Sequence, residues 1–423
     1  MFFSKSLMAV ATVWIAPALA APTARSYSVD HYEVRIAPDL DKQRIAGEVA
    51  IRYRSRAASL DAVELDAGPA VEIAEVLDGR TRLRFDRRGG LLSVALAVPA
   101  IEGVPRALTI RYRAGPGKGL KFFPDQVYSE FFTSDWMVCN DRPDGRATLR
   151  LRIAARKGWR VAASGEAAGN GAWRIDTPLP PFLYGFAAGR FQETGDGRLR
   201  VLGSADAMPQ AQAILDATRA ALRFFAARTG KDYPAPLYTQ VFTHGGPMQE
   251  NAGLTLLPEA YGASLRAQPE DLWLLAHELA HQWYAVGIPC QDRSDFWLNE
   301  GISTFLADAF LESRFGRQRY EREIERSRAI YERLRGEGKD RALSFHAWNS
   351  AQEAGGQIPY HKGAYALDLL RREMGDASFW RGLKICTGDN WNKPVTSRDF
   401  QAAMETAAGK SLAAFFDRWV YAP

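Results

Sequence analysis

The chain is organised around Leu272-Trp-Leu-Leu-Ala-His277-Glu278-Leu-Ala-His281-Gln-Trp-Tyr284. The two histidines are four residues apart, so a helix of 3.6 residues per turn places both imidazoles on one face. At this spacing two imidazoles can bind one Zn²⁺ ion, and Glu278 lies where a carboxylate can reach a metal-bound water without ligating the metal. The stretch therefore predicts a helix that carries a zinc site.

A third protein ligand is expected, because catalytic zinc sites take three protein ligands and leave one position to water. The candidate is Glu300, in Trp297-Leu-Asn-Glu300-Gly. Eighteen residues separate it from His281, which is enough for the first helix to end near Gly287 and for a second helix to fold back. The alternative, an amphipathic helix with two core histidines, is disfavoured by a glutamate at this distance.

The first part of the chain has the pattern of β-strands. Residues 31–36, 47–54 and 107–113 alternate apolar and polar side chains, as half-buried strands do. Glycine- and proline-rich breaks separate these runs. The pattern predicts a β-sandwich-like domain before the zinc helix.

Composition limits the function classes. The 423 residues are 47% hydrophobic and 24% charged, a globular balance with length for two or more domains. The net charge of +5 is spread along the chain without a basic cluster, which argues against nucleic-acid binding. Cys139, Cys290 and Cys386 are an odd number with no partners at ligand spacing, so we interpret them as small core residues.

The N-terminus has the features of a secretory signal peptide. Lys5 precedes an apolar run at 6–19, and Ala18-Leu19-Ala20 is a small-residue cleavage site. The run is too short for a comfortable membrane span. The sequence predicts that residues 1–20 are removed and that the mature chain is periplasmic or secreted, without stable membrane insertion.

Both zinc motifs resemble those of the M1 family of gluzincin aminopeptidases. Cys139-Asn-Asp141-Arg-Pro143 is also similar to a signature near the end of that family's N-terminal domain. The resemblance implies an α+β fold, with an antiparallel β-sandwich-like domain at 21–195. A thermolysin-like, mainly helical catalytic domain with a small sheet would then occupy 196–423. The chain resembles a short form that lacks the family's C-terminal helical domain.

A further segment, Gly245-Gly-Pro247-Met-Gln249-Glu250-Asn, resembles the family's Gly-x-Met-Glu-Asn strand. Gln249 stands where methionine is usual, and Pro247 stands where glycine is usual. In the family the glutamate binds the α-amine of the substrate, and the strand pairs with the peptide backbone. An exposed loop with one more acidic residue is the alternative. The substrate-binding residues implied are Gly245, Gly246, Glu250 and Asn251.

The segment Tyr360-His-Lys-Gly is similar to the family's Tyr-x-Lys-Gly motif, so Tyr360 would donate to the oxyanion. His244 and His361 are not needed as ligands. The family's amine-binding glutamine has two candidate positions, Gln126 and Glu130.

The resemblance implies a zinc exopeptidase with one Zn²⁺ per chain that acts on peptides with a free N-terminus. Glu278 would take a proton from a metal-activated water, and His277, His281 and Glu300 would be the ligands. Two alternatives stay open: a zinc endopeptidase or oligopeptidase with an open cleft, and a non-catalytic peptide-binding protein on the same scaffold. The preferred N-terminal side chain and the oligomeric state are not predicted.

Overall fold

The computed structural model describes residues 25–246, 248–349 and 356–423. The predicted signal peptide at 1–20 and the substitution at Pro247 lie outside these residues. None of the helices in the described ranges is long and apolar enough to cross a bilayer.

The N-terminal part contains an eight-stranded sheet. In spatial order its strands are Glu166–Gly169, Ala172–Leu179, Ala147–Ile153, Tyr27–Asp39, Arg44–Ser55, Pro105–Ala114, Val71–Asp78 and Thr81–Arg82. Three of the central strands contain the alternating segments at 31–36, 47–54 and 107–113. The sheet departs from the antiparallel prediction at one pair, since Tyr27–Asp39 runs parallel to Ala147–Ile153.

Two smaller sheets complete this part. One contains Ser59–Asp66, Leu91–Ile101 and Phe85–Arg88, and the other contains Arg160–Ala163, Phe186–Gly189, Gln126–Ser129 and Leu120–Phe122. A single apolar cluster joins all three sheets. The alternation of apolar and polar residues along the strands accounts for this cluster, because successive side chains face opposite sides of a sheet. Val34 and Ile36 are buried, while Arg35 between them is exposed. The β-sandwich-like architecture is confirmed.

A five-stranded sheet follows, in the order Gln192–Gly195, Leu199–Gly203, Tyr238–Thr243, Leu254–Pro258 and Gln249–Asn251. Its three middle strands are parallel, and Gln249–Asn251 pairs antiparallel at the edge. The first hairpin spans the predicted domain boundary near 195, which stays a prediction.

The remainder is mainly helical. The α-helices are Ala211–Thr229, Glu259–Ala267, Trp273–Ala280, Trp297–Phe315, Arg317–Gly336, Ile358–Met374, Asp376–Asp389, Ser397–Ala408 and Ala413–Phe416. Local sequence signals determine where helices begin and end, as Ser397–Ala408 shows. Thr396 and Asp399 form a capping box at the start of Ser397–Ala408, and Gly409 ends that helix with a φ of 67°. The predicted α+β class, with a helical domain and a small sheet, is confirmed.

The zinc helix is shorter than predicted. Its α-helical part ends at Ala280, and Gln282–Gly287 forms a π-helical turn in which the Val286 N–H donates to the His281 carbonyl at 3.0 Å. The prediction that the helix continues to Tyr284 is wrong, because Tyr284 has φ −110° and ψ 71°. A Cβ at Gly287 would collide with the Trp391 ring, so close packing requires this glycine.

Two glycines bring the later site helices together. A Cβ at Gly301 would lie 3.0 Å from the Gly363 Cα, and a Cβ at Gly363 would lie 2.8 Å from the Gly301 Cα. The helices Trp297–Phe315 and Ile358–Met374 therefore touch backbone to backbone. This contact brings Glu300 and Tyr360 to the same cavity. The three cysteines are buried, as predicted for small core residues, and none of them forms a disulfide.

Candidate active site

Three predicted ligand atoms meet at one point. The Glu300 Oε2 lies 3.4 Å from the Nε2 of His277 and 3.4 Å from the Nε2 of His281. The two imidazole nitrogens are 3.1 Å apart, and all three side chains are buried. Two imidazoles and one carboxylate are the donor set of a catalytic zinc site.

The outer ring nitrogens are held by neighbouring oxygens. The Nδ1 of His281 lies 3.2 Å from the Tyr284 carbonyl and 3.1 Å from the Ser303 Oγ. The Nδ1 of His277 lies 3.4 Å from the Thr304 Oγ1. A carbonyl can only accept, so the His281 Nδ1 carries a proton, and Nε2 is the ring nitrogen that is free to ligate a metal once it is deprotonated. These residues therefore fit a zinc ion.

The carboxylate of Glu300 and the imidazole of His281 stabilise each other's charged forms. Burial opposes ionisation of Glu300, but the charge of His281 and hydrogen bonds from both imidazoles lower the pKa of Glu300 to about 2. Burial likewise opposes protonation of His281, but the Glu300 carboxylate raises the pKa of His281 to about 10. Glu300 is thus ionised at neutral pH, as a ligand must be.

Two further carboxyl groups lie beside the ligands. One carboxylate oxygen from each of Glu250 and Glu278 and one ring nitrogen of His281 all lie within 4.8 Å of one another. Burial raises the pKa of Glu250 to about 7, and burial and the charge of Glu250 raise the pKa of Glu278 well above its ordinary value. The Glu278 Oε2 has no hydrogen-bond partner among the described residues, so it is available to a water or substrate proton.

These groups open into a cavity of about 610 Å³. Its walls are largely apolar, with Phe131 and Phe182 from the N-terminal part and Trp273 from the zinc helix. The Tyr360 ring stacks on His277 at 6.0 Å with an interplanar angle of 25°. Burial and the charge of Glu300 raise the pKa of Tyr360 well above its ordinary value, so its phenol remains a proton donor.

The strand that carries Glu250 is fixed by its neighbour. The Gln249 Oε1 accepts from the Phe131 N–H at 2.8 Å, and its Nε2 donates to the Phe182 carbonyl at 3.3 Å. Gln249 therefore ties the edge strand to the N-terminal part of the chain. Gln249, one of the two residues that depart from the family pattern, thus makes this connection.

The structure separates the other predicted substrate residues. Gly246 lines the cavity with a φ of 86°, whereas the Gly245 carbonyl accepts from the Tyr128 hydroxyl at 3.0 Å. The buried Asn251 side chain lies against Gly185 and is not part of the cavity wall.

Of the two candidates for the amine-binding glutamine, neither is among the residues that line the cavity. The Gln126 Oε1 accepts from the His244 N–H at 3.4 Å. Glu130 lies against Gly246, 3.5 Å from the Lys121 ammonium. Neither histidine set aside as a ligand belongs to the metal cluster: His244 contacts Asp125, and His361 contacts Ser327.

Sequence reasoning missed two positioning residues. The Gln282 side chain hydrogen-bonds the backbone of the turn that follows Glu250. Trp273 stacks on His277 at 5.0 Å while its Nε1 donates to the Asp308 Oδ1 at 2.7 Å. Only their positions in the sequence could have indicated these roles. Gln282 directly follows His281, and Trp273 lies four residues before His277.

Comparison with known proteins gives a consistent result. Residues 213–419 match the peptidase family M1 domain. The chain is 25% identical over 347 residues to aminopeptidase N of Lactococcus lactis, covering 73% of this chain and 40% of that protein. It is 22% identical over 447 residues to aminopeptidase N of Lactobacillus helveticus, covering 94% of this chain and 51% of that protein. The chain thus spans about half or less of these curated relatives.

Solved structures share the fold. An M1 zinc metallopeptidase of Deinococcus radiodurans, determined with a Tyr-Ser-Ala substrate, has a TM-score of 0.75 at 22% identity and covers 94% of both chains. Yeast LTA4 hydrolase has a TM-score of 0.80 at 18% identity, covering 94% of this chain and 68% of that one. At these identities the likeness concerns the fold.

Proposed function

We propose that this chain, whose residues 213–419 match the peptidase family M1 domain, is a zinc-dependent aminopeptidase that removes N-terminal residues from peptides. The observation that carries the proposal is the cluster of Glu250, Glu278 and His281, whose polar atoms lie within 4.8 Å of one another.

This distance favours cleavage after the first residue. The amine nitrogen and carbonyl carbon of one residue are about 2.5 Å apart, whereas each further residue adds about 3.3–3.6 Å. A carboxylate as close to the base as Glu250 can bind the ammonium of the residue whose carbonyl is attacked. It would be too close for an ammonium one residue further along the peptide.

His277, His281 and Glu300 would hold one zinc ion. When bound, zinc supplies a Lewis acid that polarises a peptide carbonyl and lowers the pKa of a water molecule. The neighbouring oxygens contact the Nδ1 atoms and keep the Nε2 atoms of both imidazoles directed toward Glu300, where the metal would lie.

Two residues, Glu278 and Tyr360, would carry out the proton transfer and the hydrogen-bond donation. Glu278 has a free, buried carboxylate oxygen that can accept the proton of the attacking water and pass it to the leaving amine. The Tyr360 hydroxyl, from the adjacent helix, would donate to the carbonyl oxygen as it gains charge. Glu250 meanwhile binds the substrate ammonium, and the edge strand Gln249–Asn251 offers backbone groups to the peptide.

A double-mutant cycle tests the role of Glu250. Peptide amides with a free N-terminus should be hydrolysed about ten- to a hundredfold faster, in kcat/KM, than their N-acetyl forms, because a charged hydrogen bond contributes roughly 1.5–3 kcal/mol. Glu250→Ala should lose a similar factor on free substrates and little on acetylated ones. The exposed Glu332 serves as the control, and Glu332→Ala should leave both rates unchanged.

Equal rates on free and acetylated peptides, with no effect of Glu250→Ala, would replace the aminopeptidase by an endopeptidase. No hydrolysis by the zinc-loaded protein would favour a peptide-binding protein.

Export is a separate part of the proposal and is supported by the signal-like residues 1–20. Protein recovered from outside the cytoplasm should begin at Ala21. An intact Met1 on cytoplasmic protein would contradict export.

A further inference from the structure

The cavity contains one permanent cation. Among the described residues that line it, Arg293 is the only lysine or arginine. Its guanidinium forms no hydrogen bond or ion pair with any residue in the described ranges, although the residue is half-buried. Because this guanidinium has no hydrogen-bond partner in the described ranges, an anionic group of a bound molecule can pair with its five N–H groups without displacing a protein contact.

The backbone directs Arg293 toward the metal site. Arg293–Asp295 is a 3₁₀ turn that leads into the helix Trp297–Phe315, and Phe296 and Glu300 line the same cavity. The spacing of 293, 296 and 300 is that of one helical face. Seven residues at a rise of 1.5–2.0 Å separate the Cα atoms of Arg293 and Glu300 by about 10–14 Å. The guanidinium can thus reach substrate atoms about one or two residues from the scissile bond.

None of the nearby carboxylates in the described ranges forms an ion pair with Arg293. Glu250, Glu278 and Glu300 belong to the cluster around the two histidines. Asp141 lines the cavity from the N-terminal part, and the charge of Arg293 acts to lower its pKa, but the two side chains form no ion pair, and the Asp141 Oδ2 accepts from the Ser134 N–H at 2.9 Å. The Asp292 carboxylate accepts from the Ser294 N–H at 2.7 Å.

We propose that Arg293 binds a carboxylate of the peptide substrate, so that peptides with an anionic group close to the scissile bond are preferred. The inference rests on the proposed aminopeptidase function and adds the substrate class. A carboxylate at this distance has two sources: the C-terminus of a dipeptide or tripeptide, or the side chain of an aspartate or glutamate. Arginine binds either one through two parallel hydrogen bonds.

Two substrate pairs distinguish these sources in the zinc-loaded full chain. Leu-Gly-Gly and its C-terminal amide differ in the terminal carboxylate. Glu and Gln aminoacyl-anilides differ in the side chain. We expect one pair to differ about ten- to a hundredfold in kcat/KM, mainly through KM, in favour of the carboxylate. Arg293→Gln should abolish the difference, and Arg293→Lys should restore part of it. Arg322 is exposed on the helix Arg317–Gly336, and Arg322→Gln should not change the rate ratio within either substrate pair.

The proposal is overturned if neither pair shows a carboxylate preference, or if Arg293→Gln slows carboxylate and neutral substrates equally. Calorimetric binding of Leu-Gly-Gly and its amide to the zinc-loaded Glu278→Gln variant gives a second readout that needs no turnover. Absence of hydrolysis with every substrate, but tighter binding of the acid that depends on Arg293, would reject the aminopeptidase function and retain the carboxylate site. Equal binding of acid and amide, with equal binding of the Glu and Gln compounds, would reject the site.

Discussion

Gln282 supports the backbone of Asn251: its Nε2 donates to the Asn251 carbonyl at 3.0 Å. The same side chain accepts from the Gly253 N–H at 2.9 Å through its Oε1. Both bonds are buried, and Gln282 directly follows the second histidine of the metal cluster. The zinc helix and the strand that carries Glu250 are therefore connected by one side chain.

Gln282→Ala should weaken this connection. Two buried backbone groups would lose their partners, which costs about 1–3 kcal/mol each in the free energy of unfolding when a group stays unsatisfied. We also expect the preference for free over acetylated peptides to fall, because Glu250 is no longer held at a fixed distance from Glu278. Urea unfolding and the ratio of kcat/KM values measure the two effects.

Gln240 provides a matched control, since it is also buried and its Nε2 donates to the Thr218 Oγ1 at 2.9 Å. Gln240→Ala should reduce stability but leave the free-to-acetylated ratio unchanged. A Gln282→Ala enzyme with an unchanged ratio would show that the connection does not position Glu250.

Local spacing was enough to predict that the two histidines of the metal cluster lie together. His277 and His281 are four residues apart on one helix, so their proximity follows from helix geometry. Alternation likewise predicted the central strands, because burial of one sheet face imposes it. Alternation does not encode strand direction, so the parallel pairing of Tyr27–Asp39 with Ala147–Ile153 could not be read from the sequence.

The features missed by sequence reasoning depend on contacts between distant segments. Gln249 bonds Phe131 and Phe182, which are more than sixty positions away in the chain. The resemblance placed Asn251 in the substrate site, but packing against Gly185 turns its side chain away from the cavity. A short motif gives residue types and order, whereas side-chain direction is set by the surrounding packing.

Removing a ligand and removing the base should have different effects. His281→Ala should lose both the metal and activity, while Glu278→Gln should keep about one zinc per chain and lose turnover about 10²- to 10⁴-fold. Metal analysis and kcat measure these outcomes. His361 is a half-buried histidine outside the cluster whose pKa is lowered to about 4 by burial, so His361→Ala should keep the metal. Normal turnover by Glu278→Gln would exclude it as the base.

His244 should make stability depend on pH. Its Nε2 lies 2.8 Å from the Asp125 Oδ1, and its Nδ1 lies 3.0 Å from the Glu259 Oε2. Burial lowers the pKa of His244, but the hydrogen bonds with Glu259 and Asp125 outweigh it, so the pKa is raised. His244 therefore contributes its full stabilisation at pH values below the pKa of about 6.5 that it has in the unfolded chain. This stabilisation is lost as pH rises through the pKa of His244 in the folded chain. His244→Gln should destabilise by about 1 kcal/mol or less at pH 5.5, and by less at pH 8.5.

His31 serves as a control, because its effect on stability should change with pH in the opposite direction. Burial and the charge of Arg52 lower its pKa, so the unfolded chain binds more protons and stability rises as pH increases toward 6.5 and above. The effect of His31→Gln should accordingly become more destabilising as pH rises. A His244→Gln effect that is constant with pH would show that His244 keeps the same charge in both states.

The contact between Gly301 and Gly363 should be required for catalysis as well as stability. A Cβ at position 363 would lie 2.8 Å from the Gly301 Cα, so Gly363→Ala must separate the helices that carry Glu300 and Tyr360. Overpacking of this kind costs about 1–3 kcal/mol. Because the Tyr360 hydroxyl would also move relative to Glu300, we expect kcat to fall tenfold or more, as misplacement by about 1 Å can cost a hundredfold.

Gly388 is the control. It lies in Asp376–Asp389 with open space around its Cβ position, so Gly388→Ala should leave kcat unchanged and stabilise the protein by up to about 1 kcal/mol. A Gly363→Ala protein with the stability and kcat of the parent would mean that these helices can separate without moving the tyrosine.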